Sequence, residues 1–241
     1  KKIDVRVQEN RGRNENAYWL TCRDVIENYD LICVVHDKKT PSAKPPIRGR
    51  YFSQHCWANL LKSPEYVEQV LYLMHKNPRL GILMPPAPMF SVWPNCILNH
   101  EWAGDRDIAL QLYKQLQLTV PFDENPLAPW GAMFWLRGKA MAPFYRYNWS
   151  TKDFPVEPIK KPDGTILHAM ERMYCMIAQE AGYLSGWIMP SSEVKIHYDN
   201  IYYQLREAKQ DNVKPEERIH FSTVKRIIKE YLKGKLKRRN R

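Results

Sequence analysis

The sequence predicts an α/β domain whose central sheet is mostly parallel and flanked by helices. Three observations carry that reading. Leu31–Val35 and Leu80–Met84 are short apolar runs that stop abruptly at His36-Asp37-Lys38-Lys39 and at Pro85-Pro86, the pattern of strands buried on both faces. Between such runs lie segments with apolar residues at helical spacing. The two kinds of segment alternate throughout with no internal repeat or low-complexity stretch, which favours one domain. We place it at residues 1–205 and read 206–241 as a linker and basic tail.

Taken in order, Ile3, Val5 and Val7 alternate with charged neighbours and predict a first strand. After a polar turn, Tyr18, Cys22, Val25 and Ile26 form a helical stripe, and with the Leu31 run this makes a βαβ unit. Pro41, Pro45 and Pro46 mark a loop. Phe52, Cys56 and Leu60 predict a helix. Ser63-Pro64 supplies a cap and a first-turn proline for the next one, which carries Val67, Val70, Leu71 and Met74 and stops at Asn77-Pro78. Residues 88–102 read as an aromatic loop. Ile108, Leu112 and Leu116 predict another helix, and Met133–Leu136 a strand entered through Pro129-Trp130-Gly131. Gly164–Ala181 is the longest predicted helix of the body, ended by Gly182, and Leu184–Met189 the last strand.

Composition narrows the function classes. With 44% hydrophobic and 26% charged residues the chain can bury a large core. No apolar run approaches the roughly 18 residues of a membrane-spanning helix. Five cysteines (Cys22, Cys33, Cys56, Cys96, Cys175), odd in number and with no Cys-x-x-Cys pair, argue against a disulfide framework or structural zinc and fit a reducing compartment. The net charge of +11 lies in the tail: Val224–Arg241 holds nine Lys and Arg against Glu230, leaving a nearly neutral body. That distribution, with no RNP-type or zinc-finger motif, speaks against a nucleic-acid binder. Val224, Ile227, Ile228 and Tyr231 predict an amphipathic helix over residues 222–234, whose basic face would dock on an anionic membrane or simply be solvated.

Ligands of open α/β sheets gather at the carboxyl ends of parallel strands, and two polar clusters hold that address. In Asn10-Arg11-Gly12-Arg13-Asn14, glycine allows close backbone approach and the arginines offer forked donors to phosphate. In His36-Asp37-Lys38-Lys39, Asp37 suits a divalent metal and the lysines neutralise a diphosphate directly. Each is equally readable as a solvated turn; together they point to an anionic ligand. Asp163 is either a helix cap or a general base. His168 and Glu171 share a helix face off the apolar stripe. Trp130, Trp135, Trp149 and Trp187 are core residues or a sugar-stacking cleft.

Five segments in order resemble the rhamnan synthesis protein F family: Glu9–Arg13, Val35–Thr40, Ala128–Trp135, Asp153–Pro158 and Asp163–Arg172. The similarity runs from about Ile3 to Leu205. It implies a GT-A-like nucleotide-sugar fold and an inverting glycosyltransferase that moves L-rhamnose from dTDP-β-L-rhamnose onto a bacterial cell-wall or O-antigen-type polysaccharide. The acceptor is expected to be lipid-linked, and the enzyme cytoplasmic and peripheral at the inner face of the membrane. By resemblance, Asn10, Arg11, Gly12, Arg13 and Asn14, with His36, Asp37, Lys38 and Lys39, bind the donor. Trp130, Gly131, Met133, Trp135 and His168 face the acceptor. Asp163 is the base, with Glu157 and Glu171 as rivals. Where GT-A enzymes carry Asp-x-Asp, this chain has a single carboxylate, so Asp37 is the one candidate ligand for Mg²⁺ or Mn²⁺. The resemblance also puts a further βα unit before Ile3, which this sequence does not contain. A non-catalytic carbohydrate-binding or scaffold module of the same fold is the alternative.

Overall fold

The computed structural model describes residues 3–37, 47–87, 102–159 and 163–210. Two short helices, α1 (Arg13–Asn16) and α2 (Arg23–Asn28), are joined by a π turn over Ala17–Thr21 and lead into β1 (Leu31–Val34). α3 (Ile47–Leu61) and α4 (Pro64–Lys76) follow, then β2 (Leu80–Met84), α5 (Arg106–Gln115), β3 (Phe134–Arg137), α6 (Ile166–Glu180), β4 (Leu184–Trp187) and α7 (Ser191–Gln210). Contacts divide the chain into a unit Lys1–Lys195 and a second beginning at Ile196. Lys38, Lys39, the proline loop at 41–46, most of the 88–102 loop with Cys96, and the tail helix at 222–234 lie outside the described residues.

Local chemistry explains the boundaries. Ser63 Oγ accepts from the Tyr66 amide at 3.2 Å with Pro64 at the first helical position, so α4 starts where its cap is. Gly182 takes φ +82 just past α6, a left-handed conformation that glycine adopts without Cβ strain.

The four strands form an open sheet in the order β1-β3-β2-β4. β3 is antiparallel to both β1 and β2, and only β2 and β4 pair in parallel. The expected mostly parallel sheet is therefore corrected to a mixed one. Three strands share a direction, but β3 enters between β1 and β2 from the opposite end. The expected strand at Ile3–Val7 fails too, and with it the βαβ unit that it was to form with the Leu31 run. Those side chains are 87%, 82% and 92% exposed, and among the described residues no strand pairs with them; alternation without a partner leaves backbone groups to water.

Side chains alternate across the sheet, as the pleat requires. Phe134, Leu136, Ile82 and Met84 join Trp19, Met170, Met173, Tyr174 and Ile177 on the α6 side. Trp135, Met133 and Leu83 join Cys56, Leu60, Val70 and Met74 on the α3–α4 side. The sheet is thus covered on both faces, which explains why its strands read as unbroken apolar runs.

Candidate functional site at the sheet's carboxyl edge

The register of β1 with β3 builds one corner of the molecule. Val34 lies opposite Phe134, so the residues after β1 run alongside those before β3. His36 Nε2 donates to the Gly131 carbonyl at 2.8 Å, and a carbonyl can only accept, so Nε2 carries the hydrogen. The Gly131 amide, in a residue with φ +90, donates to Glu171 Oε1 at 3.0 Å. One glycine peptide segment thereby ties β1 to α6. The corner is at the carboxyl ends of β1, β2 and β4.

Beneath Glu171 lies a residue that sequence reasoning passed over. Glu15 is 2% exposed; Asn14 Nδ2 donates to its Oε1 at 2.8 Å and Trp19 Nε1 to its Oε2 at 2.9 Å. Burial, and then the charge of Glu171, push its pKa up to about 8 against the pull of those two donors. The available signal was its spacing, four residues before a tryptophan in a helical, mostly apolar stretch.

A second carboxylate group adjoins the corner. Arg172 bridges Asp105 Oδ2 and, at 3.1 Å, Asp163 Oδ1, while its guanidinium lies 5.3 Å over the Trp130 ring. Burial lowers the arginine to about 10, so it keeps its charge at neutral pH. Asp105, fully buried, also accepts from the Thr165 amide at 3.0 Å, which makes it the anchor of the α6 start. Asp163 Oδ2 accepts from the Gly104 amide at 3.1 Å, and His168 Nδ1 pairs with Thr165 Oγ1 at 2.8 Å.

Asp105, Asp163 and His168 bring ligand atoms within 4.8 Å of one another, but the Arg172 cation already bridges two of them. As arranged, this donor set does not fit Mg²⁺ or Mn²⁺, which would have to displace a buried ion pair. Asp37 is exposed at the end of β1 and belongs to no such group among the described residues.

The Asn10–Asn14 loop is occupied differently. Arg11 donates to the carbonyls of Thr151 (3.1 Å) and Phe154 (3.0 and 2.7 Å). Gly12, at φ +65, packs so closely that a Cβ there would lie 2.7 Å from Phe154 Cβ. Arg13 pairs with Glu157 at 3.4 Å, and the Asn10 carbonyl accepts from the Glu157 amide. Glu157 also accepts from the Ile159 amide at 2.8 Å. These contacts brace the 151–159 segment, with the Arg11 fork on backbone carbonyls and Arg13 on the Glu157 carboxylate. Met133 and Trp135 are 0% and 6% exposed in the α3–α4 core, with Trp135 Nε1 bonded to the Leu60 carbonyl at 3.1 Å. Their expected place facing an acceptor is corrected to the interior: they point away from the sheet face that carries Phe134. Trp130 alone of the candidate platforms on that segment is half-exposed.

The family model of rhamnan synthesis protein F matches residues 1–183. The chain belongs to that family. No curated protein matches it, and no solved structure does. The residues from Glu15 to Arg172 that meet at the corner lie inside the matched span. Of them, Glu171, His36, Trp130, Asp163 and His168 are legible in the sequence as polar or aromatic residues, and Gly131 as a turn before a strand. Asp105 and Arg172 gain their role only from packing α5 against α6. Among the described residues, no helix is long and apolar enough to cross a membrane.

Proposed function

We propose that this member of the rhamnan synthesis protein F family is an inverting glycosyltransferase that moves L-rhamnose from dTDP-β-L-rhamnose to a hydroxyl of a growing, lipid-linked polysaccharide. The observation that carries the reading is the His36–Gly131–Glu171 corner: a carboxylate and an imidazole held by one glycine at the sheet edge where α/β folds receive ligands. Glu171 takes the proton of the acceptor hydroxyl as its oxygen attacks the anomeric carbon, and the dTDP diphosphate leaves with the bonding pair. His36 lies on the donor side, followed in sequence by Asp37, Lys38 and Lys39, whose charges suit the leaving group. Trp130, steadied by Arg172, offers an apolar face to a sugar ring. Asp163, the base expected from the sequence, is committed to Arg172 and the Gly104 amide, and we assign it to holding that platform. The basic tail is proposed to hold the enzyme at an anionic membrane surface.

The test is transfer by purified protein from dTDP-β-L-rhamnose to a rhamnose-terminated acceptor, with and without Mg²⁺. Formation of an α-linked product supports the reading. Donor binding without transfer to any rhamnosyl acceptor would favour a carbohydrate-binding module instead.

A further inference from the structure

The buried carboxylate that this reaction scheme leaves unused is Glu15. Its hydrogen-bond donors, Asn14 and Trp19, are both neutral. Trp19 Nε1 also reaches the Tyr174 hydroxyl of α6 at 2.7 Å, so its single hydrogen is shared. Among the described residues, the other titratable groups that act on Glu15 or on its neighbour Tyr18 are Glu171 from α6, the Tyr18 hydroxyl from the π turn, and the Cys22 and Cys33 thiols, which act on Tyr18. Burial and the neighbouring carboxylates hold the Tyr18 hydroxyl well above the usual tyrosine range, so it stays neutral. Arg172, next in sequence to Glu171, is engaged by Asp105 and Asp163. Among the described residues no cation bonds Glu15. A carboxylate removed from water, given only neutral donors and set beside a second carboxylate keeps its proton.

We propose that Glu15 and Glu171 act as one electrostatically coupled carboxylate pair, in which buried Glu15 holds a proton through the neutral range and the single negative charge stays on the more exposed Glu171. Glu15 touches no substrate. It is a positioning residue that fixes where the charge of the pair resides, and its ionisation at alkaline pH would set two like charges against each other and disturb the base. The consequence for rate rests on Glu171 being the base of the proposed transferase; the protonation state does not.

The deciding experiment compares thermal stability against pH for the wild-type chain, E15Q and E171Q. Glu15 has a folded-state pKa raised from 4.5 to about 8. The stability associated with it is therefore fully present below about pH 4.5 and is lost as pH rises toward 8. Wild-type stability should fall relative to E15Q across that window, approaching a tenfold change in unfolding constant per pH unit. In E171Q the window should close at lower pH, because one charge opposing ionisation of Glu15 is gone. Parallel pH dependence of all three proteins overturns the proposal. Should E15Q not fold, the ¹³C carboxyl resonance of Glu15 in wild-type protein decides: a midpoint near 8 supports the pair, and one below 6 overturns it. The transferase pH profile adds an independent arm. Wild-type rate should fall on the alkaline side, and E15Q should lose that limb. No turnover by wild-type protein would fail the transferase reading alone, while turnover without a stability difference would fail the pair alone.

Discussion

The Asn10–Asn14 loop and the His36–Gly131 corner are both polar clusters, and both bring basic or amphoteric side chains close to a glycine. In the first, the cationic fork closes on carbonyls: Arg11 satisfies Thr151 and Phe154, and Gly12 makes room for the Phe154 side chain. In the second, the glycine backbone is itself the connector, accepting from His36 and donating to Glu171. One cluster is braced against a turn some 140 residues away in sequence; the other gathers titratable groups at a strand edge. A glycine beside arginines is thus no sign of an anion site until the long-range partners of the arginines are known.

The largest effect that separates the two regions is on rate. Glu171→Gln should lower transfer on the order of 10²- to 10⁴-fold while a thermal-shift titration with dTDP shows donor binding close to wild type. The mirror experiment is Gly12→Ala, which should leave the rate per folded molecule nearly unchanged. It should cost about 2–4 kcal/mol in urea unfolding, because the added Cβ combines a left-handed backbone with overpacking against Phe154. Arg11→Ala should cost about 1.5–3 kcal/mol of stability, the scale of charged hydrogen bonds to carbonyls, with KM for the donor unmoved. A many-fold rise in that KM would restore Arg11 to the donor site. The smallest expected difference is between two tryptophans of one segment. Trp130→Ala should raise the acceptor KM several-fold with little change in stability. Trp135→Phe should lower stability by about 1–2 kcal/mol, as the Leu60 carbonyl loses its donor, and leave that KM alone.

How far the sequence carries differs between elements for physical reasons. α4 and β2 were readable because their determinants are local: a serine cap with proline, and a five-residue apolar run between breakers. β3 was readable as a strand but not in direction, since nothing in Phe134–Arg137 says which edges it pairs with. Ile3, Val5 and Val7 alternate like a strand, yet alternation reports a pattern and not the presence of a partner. In the site, Glu171 and His168 were legible as polar residues off an apolar stripe. Glu15, Asp105 and Arg172 were not, because a charged residue looks solvated until packing buries it. Asp163 looks like the base at a helix start; the partner that engages it, Arg172, lies nine residues on, in the second turn of α6.

We propose that the sheet-edge corner, rather than the Asn10–Asn14 loop, receives the nucleotide sugar. A ¹⁵N NMR titration of the full chain with dTDP and with dTDP-β-L-rhamnose measures this directly, through the Gly131 amide, the His36 imidazole and the Arg11 Nε resonances. Saturable shifts are expected at Gly131 and His36, with none above background at Arg11. Saturable shifts at Arg11 with Gly131 and His36 unmoved would contradict it.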